Sequence, residues 1–364
     1  MAVKEYPFYL KSTIVLFGII LLIYVFAQLA DILVPLAFAA FIAVLLNPLC
    51  SWLQQYKVPR LFSIIIAMLI AIILLAAVFY FLSTQMIQFG DSLPMLKKKM
   101  GELFVDLQNW VRASFGISMQ KQAKMIQDMA DSSQSMVGKT VGTLLGFLSV
   151  IFLLPVYVFL ILYYKPLILN FLYESFSEEN SKQVGEILKQ TKTAIQSYIV
   201  GLLIEMLLVA ILNATALIIL GVKYGLLIGV IGAILNLIPY LGGIIAIALP
   251  VLMATVTKDG YGTQLGIIAA YIIIQFIDNN IFVPRIVSSK VQINALISIL
   301  VVLLGNALWG VSGMFLSIPF IAVLKIIFDH IDDLKPWGKL LGDTVPTQHK
   351  GIVWGSRRKR LPNK

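Results

Sequence analysis

Two carboxylates occupy unusual places in this chain. Asp278 falls in "YIIIQFIDNNIFVPRIV", near the inner end of an apolar run and directly before Asn279 and Asn280. Glu205 falls in the middle of "YIVGLLIEMLLVAILN". A charged group at membrane depth costs about 3 kcal/mol on insertion scales, so it faces the protein interior or a cavity. There Asp278 could hold a cation or proton whose movement is coupled to transport. A second reading pairs Asp278 with Arg285 and makes it a helix cap. Glu205 carries a functional or inter-helix polar role by its depth alone. Asn236 and Tyr240 in "NLIPYLGG" and Asn306 in "LLGNALWGVSG" bring further polar groups into apolar surroundings. Together, Asn236, Tyr240, Asp278, Asn279, Asn280, Asn306 and Glu205 form the candidate set for binding a substrate or ion.

Other chemistries lack their residues. Histidine occurs twice, as His330 and His349, and neither lies in the core of an apolar run. This nearly removes histidine metal sites and His-dependent catalysis. Neither HExxH nor GxSxG occurs, and "GVSG" at 310–313 is one residue short. "GKT" at 138–140 resembles the end of a phosphate-binding loop, but the required glycine is Ser133. Met119 and Met129 could ligate soft copper, although methionine more often fills an apolar face. Cys50 has no second cysteine to pair with and reads as a packing residue. The expectation is a protein without cofactor or metal, and not an enzyme.

The elements that position these groups follow from composition. Of 364 residues, 59% are hydrophobic and only 13% charged, with a mean hydropathy of +0.92. Soluble domains are about one quarter charged, so the chain is an integral membrane protein. Its net charge of +10 sits at the ends of apolar runs and in the tail. That placement suits anionic lipid headgroups and argues against nucleic acid.

A spanning helix needs about 20 apolar residues. Residues 12–30, 32–50, 61–82, 141–164, 196–220 and 263–282 qualify. The first could be a signal peptide, but cleavage after Ala30 would place Gln28 where a small residue is expected. It reads as a retained span. Residues 83–137 carry Leu96, Met100, Leu103, Leu107 and Trp110 at helical spacing, as in an amphipathic hairpin outside the bilayer. Gly138, Gly142 and Gly146 form a strip for close helix packing. Basic residues in short loops fall on one side, which places both termini in the cytoplasm. The resulting organisation is three spans in 1–82, the outer hairpin in 83–137, a fourth span and cytoplasmic helix in 138–195, a core in 196–330 and a basic tail in 331–364.

Two apolar segments are broken. In 225–256 the halves on either side of Pro239 are each short of a span, and Gly242 and Gly243 permit a sharp turn. In 292–328 an apolar half reaches Leu304, then Gly305, Gly310 and Gly313 interrupt it before a second half containing Pro319. Backbone freed in lipid must be satisfied by protein or by a water-filled cavity. Paired interrupted hairpins point to a transport site; the plainer alternative is two kinked helix pairs.

These residues carry a resemblance. Asn236-x-Ile-Pro239-Tyr240-x-Gly242, then Asp278-Asn279-Asn280-x-x-x-Pro284, then Gly310-x-x-Gly313-Met, in that order, resemble the AI-2E family of transporters, also called the autoinducer-2 exporter or PerM-type permease family. The likeness is strong over about 195–330 and holds only in layout before that. One departure follows Gly242, where many members have Gly-Pro and this chain has Gly243-Ile. The resemblance implies an all-α polytopic protein of the bacterial cytoplasmic membrane with about eight membrane segments. It implies a secondary transporter of a small solute such as an autoinducer-2-like furanone, with an elevator-like movement, or a sodium or lithium/proton antiporter. The expected partners are that substrate or ion, the lipid bilayer and further copies of the chain in a homo-oligomer. A non-transporting scaffold would leave the paired breaks and Asp278 unexplained.

Overall fold

The computed structural model describes residues 7–90, 93–123, 153–176, 178–238, 242–258, 260–287 and 293–343. The glycine strip at 138–146, Pro239, Tyr240 and the basic tail beyond 343 lie outside the described residues. Among those described there is no strand, only an isolated bridge between Ile293 and Gly342. The protein is an all-α polytopic membrane protein. Seven of the described helices are long and apolar enough to cross a membrane.

Helices α1 (Phe8–Gln28), α2 (Ala30–Gln55) and α3 (Arg60–Gly90) open the chain. Helix α1 has almost nothing buried beneath it, and most of its Leu, Ile and Phe side chains are exposed. Helix α3 continues well past the span end expected near residue 82. Helix α4 (Leu93–Phe115) follows. It exposes Met100, Leu103 and Trp110 from its apolar stripe and touches α8. Helix α5 spans Leu153–Glu174. Helices α2, α3 and α5 share a core in which Ala39, Ala43 and Ala67 let the backbones close around Ile64, Val158 and Leu162.

Helix α6 runs unbroken from Glu178 to Ile219 over 42 residues. At ~1.5 Å per residue it is about 63 Å long, twice the hydrocarbon core. The mixed-charge surface segment and the fifth span expected separately from the sequence are thus one rod. No proline interrupts it, so nothing forces the ladder to end at the membrane surface.

Helices α7 (Gly225–Asn236, 12 residues) and α8 (Gly242–Thr257, 16 residues) are each too short to span. They fold back on each other. A Cβ added at Gly232 would lie 3.4 Å from that of Ala246, and one at Gly242 would collide with the backbone of Leu235 and Asn236. The first broken segment is therefore an antiparallel hairpin with its tip between Asn236 and Gly242. Helix α9 (Gly262–Ile277) continues as a π-helical segment, Asp278–Val287. Pro284 lies within it and cannot donate a backbone hydrogen bond.

Helix α10 covers Ala295–His330, but Trp309 (φ −135°) and Gly310 (φ +59°, ψ −142°) leave helical geometry inside it. That combination at Gly310 is accessible essentially only to glycine. Gly305 and Gly313 face each other closely enough that no side chain fits between them. Residues eight apart touch only if the chain has turned back, so α10 is a second antiparallel hairpin. A 3-10 turn, Asp332–Leu334, and α11 (Lys335–Leu341) close the described chain.

Both hairpins pack on α6, the second through Ile318 and Ala322 against Tyr198 and Leu202, but their other neighbours differ. The α7–α8 hairpin packs on α6 and α9, around Leu217, Ile228, Met253 and Ile267. The α10 tip reaches the opening helices. Trp309 Nε1 donates to the Phe26 carbonyl at 3.0 Å, its ring stacks on Phe26, and Phe315 stacks on Phe38 of α2.

Candidate functional site

Three elements meet at the tip of the α7–α8 hairpin. Helix α6 presents Glu205, Val209 and Asn213, spaced by four, on one face. Helix α9 and the first residue of its π-helical continuation present Tyr271, Gln275 and Asp278 at spacings of four and three, also on one face. The end of α7 brings Asn236. Glu205 is 6% exposed and Asp278 2%, although neither has a cationic partner among the described residues.

The two carboxyls instead face one cavity, close enough for each to act on the other. Two carboxylates in contact out of water repel strongly, and a shared proton turns that repulsion into a hydrogen bond. Asn236 holds the arrangement by donating Nδ2–H to Asp278 Oδ2 at 2.9 Å. The reading that paired Asp278 with Arg285 does not match this geometry, because no such ion pair occurs among the described residues.

The site has two cavities. The larger, about 750 Å³, is lined by Glu205, Asn236, Gly243, Gln275, Asp278 and Asn279, with Tyr198 and Leu202 on its apolar side. Gly243 lets the α8 N-terminus approach the amides: a Cβ there would lie 2.6 Å from Gln275 Oε1. The N-terminal end of α8 adds the positive end of its dipole.

The smaller cavity, about 10 Å³, lies between Asn213, Gly232, Tyr271 and Asp278, room for about one water-sized species. Asn213 Oδ1, the Tyr271 hydroxyl and Asp278 Oδ1 are all buried without a hydrogen-bond partner. A Cβ on Gly232 would sit 3.4 Å from Asn213 Nδ2 and 3.6 Å from the Tyr271 hydroxyl. Glycine here keeps the floor of the cavity open.

The other sequence candidates separate from this centre. Asn279 is exposed and lines the larger cavity beside Gln275, whose Nε2 is 3.5 Å from Asn279 Oδ1. Asn280 turns back and donates to the Phe276 carbonyl at 2.8 Å. Asn306 is exposed on the other hairpin, before its tip. Gly310 forms that tip, and Gly313 and Pro319 are buried in the second half of α10. Sequence reasoning passed over Asn213, Tyr271 and Gln275. Their signal was the four-residue spacing of polar groups along apolar helices, Glu205 to Asn213 and Tyr271 to Asp278.

A buried polar centre between the helices of a polytopic membrane protein suits a transport role. The sequence matches the AI-2E family transporter description over residues 14–333, and the chain belongs to that family. The AI-2 transport protein TqsA of Escherichia coli is 24% identical over 337 residues, covering 92% of this chain and 96% of its own. A Haemophilus influenzae protein provisionally named a transport protein is 25% identical, with 86% and 91% covered. The provisionally named permease PerM of Escherichia coli is 29% identical, with 82% and 87% covered. A transport role and a multi-pass membrane location follow from this membership.

Proposed function

We propose that this protein is a secondary transporter of the bacterial cytoplasmic membrane that moves a small organic solute, of the size and polarity of an autoinducer-2-like furanone, in exchange with an ion gradient. The observation that carries this reading is the Glu205–Asp278 pair opening onto a cavity of about 750 Å³ lined by amides. That volume lies in the range of small-molecule sites. Asn236, Gln275 and Asn279 supply donors and acceptors for hydroxyl or carbonyl groups. The carboxyl pair supplies the coupling: releasing its shared proton creates a second buried negative charge, which favours the arrival of a cation or a return to water.

The hairpins supply the movement. The α7–α8 hairpin is built on α6 and α9, while α2, α3 and α5 form their own core. An elevator-like displacement of the first body along the second would carry the site across the barrier with its contacts intact. Both termini lie on the cytoplasmic side in this reading.

A sodium or lithium/proton antiporter is the second reading, favoured by the small cavity. Asn213 Oδ1, Tyr271 Oη and Asp278 Oδ1 are three oxygens without partners around a space for one small ion, and hard cations take oxygen ligands. Flux in proteoliposomes with a pH-sensitive dye separates the two. Sodium-driven proton movement without any organic solute, lost in Asp278→Asn, identifies the antiporter. Uptake of labelled autoinducer-2 or a small organic anion, with no sodium-driven proton movement in its absence, identifies the solute carrier. No flux of either kind from a folded, correctly inserted preparation overturns both readings.

A further inference from the structure

A third cavity, at the N-terminal half of α6 where it meets α2 and α5, has the features of a ligand site. Helices α2, α5 and α6 line an open cavity of about 510 Å³, enough for much of an acyl chain. Most of its wall is apolar, from Ala43, Leu162, Ile168 and Leu188. Three lysines also line it: Lys165, Lys189 and Lys192.

The charge there is uncompensated. Lys192 and Arg60 are close enough to Lys165 for their charges to act on it. No acidic side chain is among the described lining residues. The ion pairs among the described residues are Lys325–Asp329 and Lys335–Asp332, both in the C-terminal region. Two polar groups complete the site. Asn47, 8% exposed, accepts Lys165 Nζ at 2.9 Å and so holds that ammonium at the cavity. Thr191 Oγ1 is buried at the same wall without a partner.

The three lysines are exposed at the mouth of this apolar cavity, and an anion among them would relieve the repulsion between their ammonium groups. The anion that fits must also carry a long apolar group. Lys57, Arg60 and Lys165 mark the side that the positive-inside rule makes cytoplasmic, where anionic headgroups meet basic pockets between helices. We propose that this cavity binds an anionic phospholipid of the inner leaflet, its phosphate on Lys165, Lys189 and Lys192 and one acyl chain between α5 and α6. Such a lipid ties the α2–α3–α5 body to the long helix α6.

Melting of the purified full-length protein in a neutral detergent tests this, with phosphatidylglycerol, phosphatidylcholine, palmitate or inorganic phosphate added. Phosphatidylglycerol at roughly a hundredfold over its Kd is expected to raise Tm by about 5 °C. The other three leave Tm unchanged. The triple variant Lys165→Ala/Lys189→Ala/Lys192→Ala loses the shift. Gly185→Leu keeps all three lysines and fills the cavity from α6, where a Cβ already reaches the Tyr173 hydroxyl at 3.4 Å; it loses the shift as well. An equal shift with phosphatidylcholine, palmitate or phosphate overturns the proposal, as does a full phosphatidylglycerol shift in both variants. Should the triple variant not fold, native mass spectrometry decides. Phosphatidylglycerol retained by the wild type and absent from Gly185→Leu supports the site, and equal retention refutes it.

Discussion

Asn236 closes α7 and donates its amide N–H to Asp278 across 2.9 Å, so the tip of one hairpin is tied to the carboxyl where α9 passes into its π-helical continuation. The bond links two elements 42 residues apart in sequence. It also leaves Asp278 Oδ1 free to face the small cavity. A hydrogen bond to a charged group is worth about 1.5–3 kcal/mol. Asn236→Ala should therefore slow flux roughly tenfold or more while the protein still reaches the membrane. Flux per inserted molecule in proteoliposomes measures it, and a wild-type rate removes Asn236 from the site.

The carboxyl pair should behave as one unit. Glu205→Gln and Asp278→Asn each break the shared-proton arrangement, so each should abolish the pH dependence of flux. Because the residues line one cavity and act on each other, the double variant should be little worse than the worse single variant. Strictly additive losses would mean that the two carboxyls act separately. The readout is flux against external pH, with the three variants compared at equal membrane content.

The small cavity gives a size test. Gly232→Ala places a methyl group 3.4 Å from Asn213 Nδ2 and 3.6 Å from the Tyr271 hydroxyl, ordinary contact distances that cost little stability. It takes volume from a space of about 10 Å³. If that space holds an ion, the variant should lose sodium-dependent flux with a melting temperature close to wild type. Unchanged sodium dependence would mean that the cavity is not on the ion path.

The second hairpin depends on one backbone conformation. At φ +59° and ψ −142°, Gly310 sits where an L-residue costs of order 1–3 kcal/mol. Gly310→Ala should lower the melting temperature by several degrees although its Cβ would meet nothing within 4 Å. Trp309→Phe keeps a ring to stack on Phe26 but loses the bond to its carbonyl, at a cost of about 0.5–1.5 kcal/mol. The smaller effect should come from Trp309→Phe, and thermal unfolding in detergent ranks the pair.

The second hairpin packs on α6 through Ile318 and Ala322, so in the proposed displacement it travels with the first body, and that motion has its own test. Phe38 of α2 and Phe315 of the second hairpin stack with centroids 5.6 Å apart. Cysteines at both positions, in a background with Cys50 replaced, can be joined by a short bifunctional thiol reagent. If the hairpin slides along α2 during transport, cross-linking stops flux and reductive cleavage of a disulfide-containing linker restores it. Full flux in the cross-linked protein would mean that this contact stays fixed through the cycle.

Much of this arrangement was legible from local chemistry. Apolar runs of about 20 residues mark spans because an unsatisfied backbone group in lipid is costly. The short halves around Asn236–Gly243 and Gly305–Gly313 marked the breaks for the same reason, and Glu205 and Asp278 declared themselves by their cost at depth. Proximity was another matter. Nothing local says that Glu205 faces Asp278, that Asn236 binds Asp278 while Asn280 bonds its own helix, or that Asn306 lies on the other hairpin. Those outcomes depend on how α6, α7 and α9 rotate about their axes as they pack, and a rotation is set by side chains distant in sequence. The length of α6 and the clustering of Lys165, Lys189 and Lys192 over an apolar cavity also emerge only when helices separated along the chain come together.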